Sequence, residues 1–221
     1  YTFTIDKTAP TLSLSGLTDK FTNDKVTATW NRTMTDINSQ LSNSNDELTV
    51  KYSCNNTSGT FPTSATLNYV SGTELTEVGN YLITITDKAG NSTRYTFTID
   101  KVAPTLQLIG IDDNGFTNGK VSATWSAAIE GVKGQRSNDN DILSVKYAYT
   151  TGSTFPTSAT TVYDSGANLR EVGNYLLTIK DKAGNTTDYR FTIDTTAPIL
   201  NLSGVVSGGF TNSNVSIKWD N

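Results

Sequence analysis

Histidine is absent from this 221-residue chain, and cysteine occurs once, as Cys54. The commonest general base and metal ligand is therefore missing, and a lone thiol excludes an intrachain disulfide. No apolar run approaches the ~20 residues of a membrane helix, so no membrane insertion is expected in this segment, and no signal peptide opens the chain. Charge is sparse, with 17 basic and 21 acidic side chains and a formal net charge of −4. A pI near 4.8 with both signs interspersed argues against a nucleic-acid surface. Ala and Leu are too scarce for a helical protein. What is present instead is 38 Thr, 21 Ser, 21 Asn and 17 Gly. Short hydroxyl and amide side chains favour strands and turns over helices.

Self-comparison organises the chain. YTFTIDKTAP occupies 1–10, YTFTIDKVAP occupies 95–104 and YRFTIDTTAP occupies 189–198, a spacing of 94 residues each time. KVTATW ending at Trp30 matches KVSATW ending at Trp125 and NVSIKW ending at Trp219. TFPTSAT recurs at 60–66 and 154–160, and EVGNYLITITDKAGNST at 77–93 matches EVGNYLLTIKDKAGNTT at 171–187. One insertion, Gly115, and one deletion near Cys54 restore the frame. The chain divides into the last strand of a preceding repeat (1–6), two whole repeats (7–100 and 101–194) and the first strands of an incomplete one (195–221). It reads as a piece of a longer array, so missing targeting signals say little about location.

Alternation places the strands. Tyr81, Ile83 and Ile85 share one face, as do Tyr95, Phe97 and Ile99, Val26, Ala28 and Trp30, and Leu48, Val50 and Tyr52. Leu12 and Leu14 supply an opening strand, and a short pair around 67–70 and 74–76 completes the set. About seven strands in one repeat is the size and count of an immunoglobulin-like β-sandwich. Glu77-Val-Gly-Asn-Tyr81 and Glu171-Val-Gly-Asn-Tyr175 carry tyrosine-corner spacing, which predicts a buried ring with its hydroxyl on backbone upstream. Asp87-Lys-Ala-Gly90-Asn91 and Asp181-Lys-Ala-Gly184-Asn185 predict the turns joining the last two strands, where Gly90 and Gly184 supply positive φ.

With that turn, and FTIDKxAPT at the junctions, the whole chain resembles the bacterial Ig-like domains strung along cell-surface adhesins and large secreted proteins. The resemblance implies an all-β array of sandwiches end to end, acting as an extracellular stalk, spacer or filament on a bacterial cell surface. Its partners would be neighbouring repeats and other copies of the chain, with a host protein or glycan at a binding region. Lys88 and Lys101 beside the junction aspartates depart from calcium-binding members of that family.

Several chemistries compete with plain structure. Calcium takes several oxygen ligands at once. Asp87 with Asp100, and Asp181 with Asp194, are candidate calcium ligands at the repeat junctions, set against a reading of Asp87 as a turn cap; no cofactor is required otherwise. A second acidic cluster, Asn43 to Glu47 and Asn138 to Asp141, reads as solvated loop because it lacks the glycine-centred cation loop. Lys25, Lys51, Lys120 and Lys146 fall in outward phase, against an isopeptide bond. Trp30, Trp125 and Trp219 recur in phase with core positions, so packing is the reading for them. Phe61, Phe155 and Tyr149 are less regular aromatics, and loops 31–47 and 126–142, where the repeats differ most, are where binding is expected. Without a histidine, a G-x-S-x-G motif, a phosphate loop or zinc spacing, the chain reads as non-enzymatic. The alternatives are a ligand-binding module and an accessory region of an extracellular glycan-degrading enzyme.

Overall fold

The structure, a computed structural model, describes residues 1, 5–30, 48–56, 60–125 and 142–219. Among these there are seventeen strands and no helix. Segment 7–100 contributes β1 (Ser13–Ser15), β2 (Phe21–Thr22), β3 (Val26–Thr29), β4 (Thr49–Asn55), β5 (Leu67–Asn68), β6 (Glu74–Leu75), β7 (Gly79–Thr86) and β8 (Ser92–Ile99). They form one sheet in the order β1-β3-β6 and another in the order β2-β8-β7-β4-β5. The long central strands are antiparallel, whereas β2 runs parallel to the end of β8, with Phe21 opposite Thr98.

Segment 101–194 repeats the plan with β9 (Gln107–Ile109), β10 (Phe116–Thr117), β11 (Ser122–Thr124), β12 (Ile142–Thr150), β13 (Thr161–Val162), β14 (Gly173–Asp181) and β15 (Thr186–Ile193). A single bridge, Val121 to Leu169, stands where β6 pairs in the first segment. The last described residues add the hairpin β16 (Leu200–Ser203) and β17 (Ser216–Trp219).

Each segment encloses one core drawn from both of its sheets. Val26, Ala28 and Leu75 from the smaller sheet meet Val50, Tyr81, Ile83, Ile85, Phe97 and Ile99 from the larger. Val121, Ala123 and Leu169 meet Val145, Tyr175, Leu177, Ile179, Phe191 and Ile193 in the same way. Period-two alternation produces this, since every second side chain points into the space between sheets. The class is all-β, with the layering of a β-sandwich. Trp30 and Trp125 are half-buried and pack against these cores, while Trp219 is exposed.

Three features depart from the sequence reading. The segments 67–70 and 74–76 do not pair with each other: β5 joins β4 and β6 joins β3, so the chain changes sheets between them. Tyr69 fills the crossover and is buried. The short parallel strands β2 and β10 are additional, and two residues are too few to show a period. Leu82 and Leu176 lie in the outward phase, yet both are buried.

Candidate functional site

Asp87 and Asp181 cap their hairpin turns. The Asn91 N–H donates to Asp87 Oδ1 at 2.8 Å and its side-chain amide to Oδ2 at 2.9 Å. In the second turn, Asp181 Oδ1 accepts from the N–H groups of Gly184 (2.7 Å) and Asn185 (2.8 Å), and Oδ2 accepts from the Asn185 amide at 2.8 Å. Gly90 and Gly184 close these turns at φ +94° and +103°, where a Cβ is strained. Asp181 is fully buried, and burial pushes its carboxyl pKa up against the opposing hydrogen bonds of Asn185 and the turn amides.

The same asparagines reach the junctions. Asn91 Nδ2 donates to the Asp6 carbonyl at 3.1 Å, and Asn185 Nδ2 donates to the Asp100 carbonyl at 2.9 Å. Asp100 is fixed from three sides: its N–H donates to the Thr22 carbonyl at 2.9 Å, and its Oδ1 accepts the Val102 N–H at 2.9 Å. Beyond it, Thr187 Oγ1 donates to the Pro104 carbonyl at 2.6 Å, and the Leu106 N–H donates to Tyr189 Oη at 3.1 Å. Thr93 and Tyr95 hold Pro10 and Leu12 identically. The Lys182 ammonium lies 5.4 Å from the centroid of the Phe21 ring, a cation–π contact between the two segments.

This geometry changes the pairing of the aspartates. Thr86 opposes Ser92 and Gly79 opposes Ile99, so Asp87 and Asp100 sit at opposite ends of the β7–β8 hairpin. Asn185 instead links Asp181 to the Asp100 backbone carbonyl, and Asn91 links Asp87 to that of Asp6. Asp194 is exposed and its Oδ1 accepts the Thr196 N–H at 2.8 Å. Among the described residues, no three Asp, Glu, Cys or His side chains converge as a metal site. The Asn185 amide bridges the Asp100 carbonyl and Asp181 Oδ2 with its N–H groups.

Two pairs of tyrosines pin the sandwiches. Tyr81 Oη donates to the Glu77 carbonyl and Tyr175 Oη to the Glu171 carbonyl, each at 2.8 Å. The rings stack on Phe97 and Phe191 at centroid distances of 4.9 and 5.0 Å. Burial raises both phenol pKa values, that of Tyr175 to about 12. The second pair, Tyr69 and Tyr163, escaped the motif reading, although their 94-residue spacing was visible. Tyr69 Oη accepts the Ala28 N–H at 2.9 Å and donates to the Thr73 carbonyl, and Tyr163 Oη accepts the Ala123 N–H at 2.7 Å.

The remaining candidates are dispersed. Phe61 and Phe155 are exposed, and Tyr149 is exposed while its ring stacks on Tyr175 at 5.1 Å. Cys54, its counterpart, is half-buried, and burial raises its thiol pKa, which suits a packing role over a reactive one. A Cβ at Gly79 would come within 2.5 Å of the Cys54 sulfur, so glycine is required for that close approach. Lys25 is exposed and paired with Glu74, and Lys120 is exposed. The acidic cluster at 43–47 and 138–141, and the loops at 31–47 and 126–141, lie outside the described residues. A scan against models of known protein families finds no match to the chain, and a comparison with curated proteins finds none either.

Proposed function

We propose that the chain is a non-catalytic stalk or spacer segment of an extracellular bacterial surface protein, built from immunoglobulin-like sandwiches joined end to end. The observation that carries this reading is Asp100, whose N–H is bonded to Thr22 of one segment and whose carbonyl is bonded to Asn185 of the next. A stalk must pass orientation from one sandwich to the next, and a linker residue anchored on both sides does this. Pro104 adds stiffness, because proline fixes its own φ and biases the residue before it toward extended backbone. Only the stretch between Ile99 and Gln107 separates β8 from β9, which leaves little slack for the segments to fold back on each other. On this reading the principal partners are neighbouring sandwiches of the same chain. Small-angle scattering of the 221-residue chain tests it. An elongated profile is expected, and a compact, globular one overturns the proposal.

A further inference from the structure

The outer face of the larger sheet of segment 7–100 holds a groove of about 250 Å³ between the sheet and loop residues 63–65. The strand register builds its floor in two rows. Lys51, Thr84 and Arg94 stand side by side across β4, β7 and β8, and Thr49, Thr86 and Ser92 form the next row. Arg94 Nη2 donates to the Thr63 carbonyl at 2.6 Å, which ties the loop wall to the sheet. Its other guanidinium N–H groups, and the Lys51 ammonium, have no partner among the described residues. Among the described residues, no Asp or Glu lines the groove. Two cations separated by one strand, about 10 Å apart at the backbone, therefore face a surface otherwise dense in hydroxyls.

We propose that this groove binds an acidic saccharide, a sugar carrying a carboxylate or sulfate. Lys51 and Arg94 take the anionic group, Arg94 through its planar donor fork, while the Thr and Ser hydroxyls, each donor and acceptor, exchange hydrogen bonds with the sugar hydroxyls. Among the described residues the lining is hydroxyl-rich and offers no large apolar side chain to anchor a peptide residue. Segment 101–194 supplies an internal contrast. Its matching row reads Lys146, Thr178 and Asp188. Asp188 stands where Arg94 does and accepts from Thr178 Oγ1 at 2.6 Å and from Arg190 Nη2 at 3.2 Å. The Asp188 carboxylate ends the row with a charge that repels an anionic group where Arg94 attracts one, while in the next row Lys180 stands where Thr86 does. This binding site does not depend on the stalk reading.

Amide NMR titration of the full chain decides the matter, with glucuronate and glucose 6-sulfate as probes. Glucose, inorganic sulfate and a short oligo-aspartate peptide are the comparisons. The expected result is a saturable shift of Thr49, Lys51, Thr84 and Ser92 with the acidic sugars. Their equivalents Ser144, Lys146, Thr178 and Thr186 stay unmoved, and binding of each comparison probe is roughly tenfold weaker. Lys51→Ala should weaken the acidic sugars by a similar factor, and Arg94→Asp, which copies the second segment, should abolish the shifts. If Arg94→Asp releases the loop, Lys51→Ala decides alone. The proposal is overturned if the acidic sugars give no saturable shift. It is equally overturned if sulfate or the peptide matches them, if both segments respond alike, or if Lys51→Ala binds as the parent does.

Discussion

Tyr81 and Tyr175 each bury a ring and direct one hydroxyl to a carbonyl four residues upstream, at Glu77 and Glu171. A phenylalanine at either position keeps the stacking on Phe97 or Phe191 and loses that bond, together with the contact to Cys54 in the case of Tyr81. Tyr81→Phe and Tyr175→Phe should therefore each cost about 0.5–1.5 kcal/mol, the net worth of one such hydrogen bond. Urea midpoints of the two single variants check this, and unchanged midpoints in both would contradict it. Asp181 makes a prediction of a different kind. Burial raises its pKa above the ordinary carboxylate value of ~3.9, so the folded chain holds this proton more tightly than the unfolded one. Its contribution to stability therefore falls as pH rises from the ordinary carboxylate range through the raised value, then levels off. Asp181→Asn removes that contribution. The stability difference between Asp181→Asn and the parent, read from NMR signals of segment 101–194 in urea, should move in the variant's favour across that window. A difference that is constant with pH would show that the turn amides cancel the burial effect.

At the level of elements, the hairpin turn is the smallest unit that joins fold to assembly. Asn185 donates to both the buried Asp181 carboxylate and the Asp100 carbonyl, so Asn185→Ala leaves a buried charge short of a donor and frees the linker. The expected cost is about 1–3 kcal/mol, confined to segment 101–194; Asn91→Ala should do the same to segment 7–100. Separate unfolding midpoints for the two segments check this, and equal losses in both from Asn185→Ala would place the effect elsewhere. The turn itself was legible in Asp-Lys-Ala-Gly-Asn, because a cap and a positive-φ glycine are local chemistry. Its partner was not, since strand register sends Asp87 and Asp100 to opposite hairpin ends, and a side chain 85 residues away, Asn185, takes the Asp100 carbonyl. The central strands were legible for a similar reason: eight or nine residues display a period. β5 and β6 were not, because two residues apiece cannot announce which sheet they join. The groove of Lys51 and Arg94 was invisible because its rows bring together residues more than forty positions apart on the outward phase, where sequence reading expects only solvent.

Across the whole molecule, the hairpin β16–β17 is the place where local pairing and burial separate. Its four residue pairs, from Leu200 with Trp219 to Ser203 with Ser216, match the pairing of β1 with β3 and of β9 with β11. In the first two segments those strands are stabilised by a facing sheet, and in the third all eight strand residues are exposed. Leu200 is 59% exposed where Leu12 is 8%, and Val215 is 44% exposed where Val26 is 0%. The backbone hydrogen bonds are thus in place without the apolar burial that gives sandwich strands their stability, and a lone two-stranded hairpin is marginal in water. Opening such a hairpin exposes almost no new apolar surface, so its free energy of opening should be near zero, the low end of the range for local unfolding. Hydrogen exchange of the dilute, monomeric chain should therefore show slow amides in the cores of 7–100 and 101–194, among them Ile83 and Leu177, and fast exchange throughout 200–219. Slow exchange at Ser216 to Trp219 in a sample shown to be monomeric would mean that the hairpin docks on segment 101–194. Slow exchange that appears only as concentration rises would instead mean that another copy covers its apolar face, because Leu200, Leu202, Ile217 and Trp219 are exposed.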